Sequence, residues 1–478
     1  MMEYPELALF VDGTWRRSGQ TLPVLNPATE GVIGNVPVAS ASDLDDALDA
    51  AERGFRIWRA ISPRERSDVI MRAARLLRER IDEIAYSITL EHGKPFKQAQ
   101  MEVIRGAEFF EWDAGEAQRL YGRVIPGVQG TRHTVLRQPI GQVAAFSPWN
   151  FPMSQPARKI AGALATGCSV ILKAAEETPA GALHIARAFQ DAGLPDGVLN
   201  LVFGVPSDIS AHLISDNRIR LVAFTGSTVV GRNLTTMASE NMTPVLMELG
   251  GHAPVIVCDD VDPGVVAPIC ADRKFRNAGQ VCTSPTRFYV SEGLFDRFTQ
   301  GFVDASNMIR VGDGLRDGVQ MGPVANDRRL AAMMALVEDA VSKGAELRSG
   351  GKRKGNSGYF FEPTVLANVP DNARVLTEEP FGPIAILNPI RDLDEGISLA
   401  NSLPYGLAAY GFTHSAANAE QMVERVEAGN LSINTLEASL PETPFGGVKW
   451  SGYGREGGEE GLHNYTVVKN VSHKMSVG

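Results

Sequence analysis

The chain has 478 residues, of which 44% are hydrophobic, and a formal net charge of −10. This length is too great for one ordinary core and predicts two or three domains. Acidic and basic residues are mixed along the whole chain, so no stretch is suited to neutralising phosphates and no nucleic-acid partner is expected.

The cysteines and histidines argue against a disulfide framework and against a metal site. The four cysteines form no Cys-x-x-Cys pattern, which fits a reducing compartment. The eight histidines include no His-x-x-x-His pair, so no zinc site is predicted. The first residues are acidic where a signal peptide is basic, and no apolar run reaches the ~18 residues of a membrane span. We therefore expect a soluble cytoplasmic protein that does not contact a membrane.

Two amphipathic helices are predicted near the N-terminus. The first is expected to follow a cap at Ser42, and the second to run from Pro63 through Ile84, each with apolar side chains on one face. Residues 121–139 then break the helical pattern, and 131–138 alternates as an exposed strand does. This segment predicts a small hairpin outside the main fold.

Residues 141–251 alternate short apolar runs with amphipathic helices, which is typical of βα units on a parallel sheet. One helix is expected to start with Thr178 as its cap and Pro179 in its first turn. The apolar runs are residues 142–146, 170–172, 198–203, 221–224 and 245–247. In outline this is a Rossmann-like nucleotide-binding domain.

The usual glycine fingerprint of that domain, Gly-x-Gly-x-x-Gly, is absent. In its place, residues 224–231 read as a strand that runs into a turn and a helix start, whose amides and Ser227 hydroxyl suit a pyrophosphate. Arg232 and Asn233 follow where a phosphate loop needs Lys and Ser or Thr, so an ATPase is excluded. A plain helix-start turn is the alternative interpretation.

A second α/β region is predicted beyond residue 251. Strands are expected at 254–257 and 287–290, and helices at 293–309 and 327–343. The Gly-rich residues 444–458 predict an ordered loop, followed by a last strand over 465–471. Together with the 121–139 hairpin, this tail is expected to form an oligomer contact.

Cys282 lies in this second region and is the candidate nucleophile, with Glu248 as a carboxylate that serves it. A thiol and a separate base suggest chemistry through a thioester. The alternative is that a Cys among Val and Thr is an inert buried thiol.

Seven short motifs follow one another along the chain. They are Ser147-Pro-Trp-Asn-Phe-Pro152, Lys173-Ala-Ala-Glu-Glu-Thr-Pro179, Phe224-Thr-Gly-Ser227, Met247-Glu-Leu-Gly-Gly251, Gly279-Gln-Val-Cys282, Glu379-Pro-Phe-Gly-Pro383 and the loop 444–458. In this order they resemble the aldehyde dehydrogenase superfamily, and the resemblance covers essentially the whole chain. It implies NAD(P)-dependent oxidation of an aldehyde to a carboxylic acid.

The resemblance also implies an α/β fold with three parts. They are a Rossmann-variant NAD-binding domain (1–120 and 140–250), an α/β catalytic domain (251–445), and a small β oligomerisation element with a C-terminal loop (121–139 and 446–478). A homodimer or homotetramer is expected.

Three residues carry the chemistry that the resemblance implies. Cys282 attacks the aldehyde carbon, and Asn150 with the Cys282 amide stabilises the alkoxide that forms. Glu248 then deprotonates the water that hydrolyses the thioester. The alternatives are that Asn150 is a turn residue and that Glu248 is a solvated strand end.

For the cofactor, the resemblance implies that Glu176 binds the adenosine ribose and favours NAD, with NADP as the alternative. Glu379 is expected to bind the nicotinamide ribose and Phe381 to lie beside the ring. Ala174 replaces the proline common in the family, and His252 replaces a frequent lysine. The full set of expected cofactor residues is Phe146, Ser147, Pro148, Trp149, Asn150, Lys173, Ala174, Ala175, Glu176, Phe224, Gly226, Ser227, Leu249, Gly250, Glu379 and Phe381.

Two arginines and a serine narrow the range of expected substrates. In relatives that oxidise succinate semialdehyde, arginines at the positions of Arg158 and Arg276 bind the far carboxylate, and Ser439 is a further donor. An ω-carboxylated semialdehyde such as succinate semialdehyde is therefore expected. The alternatives are neutral aliphatic or aromatic aldehydes, a CoA-acylating enzyme, and an inactive family member.

Overall fold

The computed structural model of the protein describes residues 2–476. Residue 1 of the predicted NAD-binding domain and residues 477–478 of the predicted oligomerisation element lie outside this range. Two large open sheets and one small sheet account for most strands. No helix within residues 2–476 is long and apolar enough to cross a membrane.

The strands are numbered in chain order. They are β1 Leu9–Val11, β2 Thr14–Arg16, β3 Thr21–Leu25, β4 Val32–Pro37, β5 Arg123–Pro126, β6 Thr131–Pro139, β7 Gln142–Phe146, β8 Ser169–Lys173, β9 Leu199–Val202, β10 Ile219–Thr225, β11 Val245–Glu248, β12 Pro254–Val257, β13 Arg287–Ser291, β14 Glu346–Ser349, β15 Thr364–Ala367, β16 Ile384–Ile390, β17 Tyr405–Gly406, β18 Ala408–Phe412, β19 Asn430–Ile433, β20 Val448–Lys449, β21 Gly452–Tyr453 and β22 Thr466–Lys474.

The α-helices follow the same numbering. They are α1 Ala41–Trp58, α2 Pro63–Glu79, α3 Ile81–His92, α4 Phe96–Glu116, α5 Ser154–Thr166, α6 Ala180–Asp191, α7 Pro206–Ser215, α8 Thr228–Ser239, α9 Pro263–Phe275, α10 Glu292–Asn307, α11 Asp327–Ser342, α12 Leu393–Asn401, α13 Ala416–Arg425 and α14 Gly458–His463.

The first sheet has the order β2-β1-β9-β8-β7-β10-β11-β21. Its five central strands, from β9 to β11, are parallel and joined by helices. Because the apolar runs put hydrophobic side chains on both faces of the sheet, both faces must be covered by helices. Residues of β7 and β8 are buried throughout. The predicted βα units of residues 141–251 are therefore confirmed.

The second sheet has the order β14-β15-β16-β13-β12-β18-β19 and is parallel except for the β14–β15 pair. Its core is aromatic, with Phe275, Phe288, Phe298 and Phe302 buried between the sheet and helices α9 and α10. Each sheet thus has its own core, and the α/β fold class is confirmed. The division into domains at residues 250 and 445 stays a prediction.

The third sheet, β22-β6-β5, is antiparallel and lies outside both large sheets. The pairing of β22 with β6 runs from Thr466 with Pro139 to Lys474 with Thr131. Its exposed apolar side chains include Val124, Leu136 and Val468. The hairpin and the last strand thus form one surface that leaves apolar side chains in contact with water.

Several predicted boundaries were wrong. The cap of α1 is Ser40, whose side chain accepts from the Asp43 amide in a capping box, so Ser42 is inside the helix. The helix predicted from Pro63 through Ile84 ends at Glu79, and a separate helix starts at Ile81. Thr178 does not cap α6, because its hydroxyl donates to the backbone oxygen of Trp149.

Two other features were not predicted. The N-terminal residues form strands β1 to β4, of which β1 pairs with β9 and extends the first sheet. The Gly-rich segment 444–458 is not loop throughout, because β21 pairs with β11 at Met247 and Glu248. This edge strand brings the C-terminal segment beside the candidate base.

Candidate active site

A cavity of about 520 Å³ lies between α4, α5, α9 and the segment that follows β19. Its lining includes Cys282, Arg158, Arg276 and Ser439, so the proposed nucleophile and all three proposed substrate residues share one space. Aromatic side chains Phe109, Phe151, Phe275 and Phe445 line it as well. A concave site with a few polar groups among apolar walls is typical of small-molecule binding.

Cys282 follows a tight 3-10 helix, Arg276–Gly279, that ends α9. Asn277 and Ala278 have φ values of 55° and 55°, in the left-handed region that non-glycine residues rarely adopt. A Cβ on Gly279 would lie 2.2 Å from the Gly382 oxygen, so only glycine fits there. Cys282 is partly exposed, whereas Cys168, Cys258 and Cys270 are buried.

The thiol of Cys282 is not ionised by its surroundings. Burial raises its pKa to about 12, and the carboxylates of Glu379 and Glu248 add to the effect, while Arg158 opposes them. Because the thiolate is the nucleophile, most of the enzyme is in the unreactive thiol form at neutral pH. A nearby base is therefore needed to take the thiol proton.

Asn150 lies in the turn between β7 and α5 and is only 3% exposed. Its side-chain Nδ2 donates to the backbone oxygen of Gln280 at 3.0 Å, two residues before Cys282. The Asn150 backbone oxygen accepts from Asn277 Nδ2 at 3.1 Å. The two motifs that carry Asn150 and Cys282 are therefore hydrogen-bonded to each other.

Glu248 is the last residue of β11 and is 2% exposed. Both of its carboxylate oxygens are buried without a hydrogen-bond partner among the described residues. Burial raises the pKa of Glu248 well above its usual range, and Glu456 raises it further, while Lys159 and Arg158 oppose them. A carboxylate whose pKa is raised binds a proton more tightly than an exposed one, which is the property that a general base needs.

The charged groups near Glu248 were not predicted from the sequence. Lys159 is fully buried and donates to Glu456 at 2.6 Å and to Thr225 at 2.6 Å. Glu456 is itself in the C-terminal segment that β21 places beside β11. No local pattern links residues 159 and 456, so sequence periodicity does not reveal this pair.

The carboxyl ends of β7, β8, β10 and β11 meet at one edge of the first sheet, which is where nucleotides bind in parallel sheets. Phe146, Lys173 and Glu248 end three of these strands. After β10, Ser227 caps α8 by accepting from the Val230 amide. The other backbone amides of the first turn of α8 stay available to a phosphate group.

The other expected cofactor residues surround this edge. Lys173 is ion-paired with Glu176, and the segment between them contains the buried Ala174 and Ala175. Phe224 packs over Gly226, where a Cβ would lie 2.4 Å from the ring. The residues that follow β7 and β11 in the same place are Ser147, Pro148, Trp149, Leu249 and Gly250.

Glu379 and Phe381 approach the same edge from the second sheet. The pKa of Glu379 is raised to about 8 by desolvation, although the Gly251 amide, Arg329 and Lys274 oppose this. The Phe381 ring packs edge-on against Trp149 with centroids 5.5 Å apart. A Cβ on Gly250 would lie 3.0 Å from the Glu379 carboxylate, so both sheets contact each other closely here.

Two valines beside this edge were missed by the sequence reasoning. Val229, in the first turn of α8, is 69% exposed, and Val205, before α7, is 39% exposed. Exposed branched apolar side chains beside a free helix start are suited to cover a planar base. Their exposure is a tertiary property, and nothing in the local sequence distinguishes them from core valines.

Arg158, on α5, lines the cavity and is 6% exposed. Its guanidinium carbon is 4.0 Å from the Phe109 ring centroid and 4.9 Å from that of Phe445, and one Nη donates to the Ser439 hydroxyl. Its other Nη is buried without a hydrogen-bond partner among residues 2–476. Burial lowers the pKa of Arg158, yet it stays cationic because a guanidinium does not deprotonate in proteins.

Arg276 lines the same cavity, and its guanidinium carbon is 6.0 Å from the Phe151 ring centroid. Burial lowers its pKa to about 10, and the neighbouring Arg273 adds to this effect. Arg273 itself is paired with Glu437 at 3.7 Å. Arg158 and Arg276 are thus two of the cationic side chains that line the cavity, together with Lys94, Lys97, Arg105 and Arg273.

The match to the aldehyde dehydrogenase family covers residues 15–471. The chain belongs to this family, and it is an oxidoreductase that oxidises aldehydes with NAD(P). The resemblance found in the motifs is therefore confirmed, as is the α/β fold class that it implied.

Two curated relatives and one solved structure illustrate the similarity. The 4-(hydroxymethyl)benzenesulfonate dehydrogenase TsaD1 of Comamonas testosteroni is 45% identical over 464 residues, covering 96% of this chain and 97% of the relative. The succinate-semialdehyde dehydrogenase (NADP(+)) GabD of Escherichia coli is 40% identical and covers 96% of both chains. The NAD+ complex of aldehyde dehydrogenase from Bacillus cereus superposes with a TM-score of 0.97 at 33% identity, covering 99% of this chain and 98% of that one.

Proposed function

We propose that this enzyme oxidises an aldehyde that carries an anionic group at its far end. The observation that carries the proposal is the Arg158 guanidinium, which is buried in the same cavity as Cys282 with one Nη free of any hydrogen bond to the described residues. An unpaired buried cation is costly unless a ligand supplies the anion. A carboxylate or sulfonate accepts from the guanidinium with matching geometry.

In the proposed mechanism, Cys282 acts first. Its thiol loses a proton to Glu248, and the sulfur attacks the aldehyde carbon to form a thiohemiacetal whose oxygen is negatively charged. The Asn150 amide and the Cys282 backbone amide donate to that oxygen, and one such donor contributes roughly 3–4 kcal/mol. Asn150 Nδ2 carries two hydrogens, and the one that is not donated to the Gln280 oxygen at 3.0 Å is available for this contact.

The carbon then loses a hydride, for which NAD(P) is the acceptor when it is bound. The product at Cys282 is a thioester. Glu248 releases the thiol proton to solvent and then takes a proton from water, and the resulting hydroxide attacks the thioester carbon. The carbon–sulfur bond breaks to release the carboxylic acid and the Cys282 thiolate, which takes the proton back from Glu248 and becomes the thiol again. The buried, unpartnered oxygens of Glu248 support this role.

The proposed cofactor site is the edge of the first sheet. Ser227 and the start of α8 suit the pyrophosphate, and Glu176 suits the hydroxyls of the adenosine ribose. A carboxylate there repels a 2′-phosphate, which favours NAD over NADP. Glu379 and Phe381 are proposed to contact the nicotinamide half.

Two anionic aldehyde classes fit the cavity. Relatives at 40% identity support an ω-carboxylated semialdehyde such as succinate semialdehyde. A second candidate is a benzaldehyde that carries a sulfonate, which is supported by the 45% identical benzenesulfonate relative and by the aromatic side chains that line the cavity. Both candidates use the same two arginines.

The assembly of the enzyme is also a proposal. The surface formed by β5, β6 and β22 exposes apolar side chains over a nine-residue strand, which suits a contact with a second copy of the chain. Sedimentation would decide between the expected homodimer and homotetramer.

The test is a steady-state panel with NAD and NADP as cofactors. Succinate semialdehyde, 4-sulfobenzaldehyde, butanal and benzaldehyde would be compared by kcat/KM for NADH or NADPH formation. We expect the anionic member of each pair to exceed its neutral counterpart by at least about tenfold, which corresponds to ~1.4 kcal/mol. Equal values within each pair would contradict the proposal, and a requirement for CoA would contradict hydrolysis by Glu248.

A further inference from the structure

We propose that Lys94 is a positioning residue for this reaction, because its buried ammonium group holds the backbone of the turn that presents Asn150. This inference rests on the proposed role of Asn150 at the oxyanion. Lys94 lies in none of the seven motifs, and it reaches the site from the segment between α3 and α4.

The ammonium group of Lys94 has three contacts, of which two are with the Asn150 turn and one is with Glu102 on α4. It donates to the Asn150 backbone oxygen at 3.1 Å, it lies 4.3 Å from the centroid of the Phe151 ring, and it is ion-paired with Glu102. The residue is 2% exposed.

Glu102 holds the other end of the same turn. One of its oxygens accepts from the Met153 amide at 2.8 Å and from the Ser154 amide at 3.2 Å, at the start of α5. The other oxygen accepts from Lys94. The ion pair thus contacts the chain on both sides of Phe151. Helix α5, which begins at Ser154, carries Arg158 one turn later.

The position of Lys94 is itself tightly determined. Gly93 has a φ of 84°, and a Cβ on it would lie 2.5 Å from Pro323. A Cβ on Gly314 would lie 2.4 Å from the Lys94 oxygen, and the Phe96 amide donates to the Gly314 oxygen at 3.0 Å. The backbone that carries Lys94 is therefore fixed against the residues that follow α10.

Net stability of the fold is a weak explanation for the presence of the buried Lys94–Glu102 ion pair. Buried ion pairs contribute little net stability compared with apolar side chains of the same volume, since both charges lose their hydration. The side chains of Lys94 and Glu102 nevertheless direct three hydrogen bonds to one turn of five residues, Asn150–Ser154. Holding this turn in one position is the purpose that these contacts share.

The experiment is a double-mutant cycle between Lys94→Met and Asn150→Ala, measured as kcat and KM with the best aldehyde of the panel. Asn150→Ala alone is expected to lower kcat about 100- to 1000-fold. Lys94→Met alone is expected to lower kcat about tenfold or more with little change in KM, and to have less than about a twofold effect when Asn150→Ala is already present. Lys343→Met, which removes a surface ion pair with Asp339, is the control for loss of a lysine.

A further variant separates positioning from folding. Lys94→Met combined with Glu102→Gln leaves no unpaired buried charge, so it is expected to fold and, in thermal unfolding, to melt close to the parent enzyme, yet to keep the low kcat. If Lys94→Met alone does not fold, this pair of substitutions replaces it in the cycle.

Two results would overturn the inference while leaving the proposed function intact. One is an equal loss of kcat with and without Asn150→Ala, and the other is full kcat in the Lys94→Met, Glu102→Gln variant. Full activity of Asn150→Ala by itself would overturn the proposed role of Asn150 and the Lys94 inference together.

Discussion

Arg158 and Ser439 are hydrogen-bonded to each other across the cavity, although 281 residues separate them in the chain. The contact uses one Nη of the guanidinium and leaves the other without a partner among the described residues. Arg158 is thereby held in place by a serine and two phenyl rings while part of its donor capacity stays open. This relationship leads directly to the first prediction.

Arg158→Met and Arg276→Met are each expected to raise KM for succinate semialdehyde about 10- to 100-fold, because a hydrogen bond to a charged group contributes roughly 1.5–3 kcal/mol. KM for butanal is expected to change less than about threefold, since a neutral alkyl end needs no cation. Steady-state NADH formation measures both. Similar losses with the two aldehydes would remove the support for an anion-binding cavity.

Glu248→Gln is expected to separate thioester formation from hydrolysis. With saturating aldehyde and NAD, the variant should release about one NADH per active site in a first phase slower than that of the parent enzyme, because Glu248 no longer takes the thiol proton. Turnover should then be slowed roughly 100- to 10,000-fold, because the base that activates water is missing. Rapid mixing with absorbance detection measures the first phase. Glu240→Gln, an exposed glutamate at the end of α8, serves as the matched control. A variant with undiminished turnover would show that another group activates the water.

Alkylation of Cys282 by iodoacetamide in the cofactor-free enzyme is expected to accelerate with pH. The pKa of the thiol is raised to about 12, so the thiolate fraction, and with it the rate, rises about tenfold per pH unit between pH 7 and 10. Mass spectrometry identifies the modified residue, and Cys282→Ala is the control for the three buried thiols. A rate that levels off near pH 8 would mean that the thiolate is stabilised in the free enzyme.

Glu176→Ser is expected to raise the ratio of kcat/KM with NADP to that with NAD by about tenfold or more, equivalent to ~1.4 kcal/mol. The physical reason is that the substitution removes the charge facing a 2′-phosphate and frees Lys173 from its ion pair. Glu177→Ser removes an adjacent carboxylate and is the matched control. An unchanged NADP-to-NAD ratio would mean that Glu176 does not contact the adenosine ribose.

Asp113→Asn is expected to make the melting temperature less sensitive to pH. Burial raises the pKa of Asp113 to about 8, with Arg158 opposing and Glu456 adding to the shift. The folded state therefore keeps a proton that the unfolded state releases, so stability falls as pH rises from about 4 to about 8, by at most ~1.4 kcal/mol per unit.

Asparagine imitates the protonated acid. The melting temperature of the variant minus that of the parent enzyme should therefore be larger at pH 8 than at pH 6. Thermal unfolding at both values measures this. Asp68→Asn, at an exposed position on α2, is the control. An equal difference between variant and parent at both pH values would show that Asp113 is ionised throughout.

The elements that local pattern determines were predicted well. Strand β7 and strand β12 have the predicted limits, because continuous apolar runs bounded by glycine or proline have few alternatives. Helix caps were predicted less well. Ser40 and Ser42 are both plausible caps by residue type, and the reciprocal contact with Asp43 decides in favour of Ser40.

The amino-acid sequence by itself determined the α/β class, the family, and the three residues proposed for the chemistry, because each lies in a short motif with its own local signature. Tertiary structure decided what surrounds them. Lys94 contacts Asn150 across 56 residues, and Lys159 contacts Glu456 across 297. No periodicity encodes such distances, since these contacts depend on how strands from remote segments are ordered in a sheet. The raised pKa of Glu248 and the open donor of Arg158 arise from that packing, which removes water from both groups.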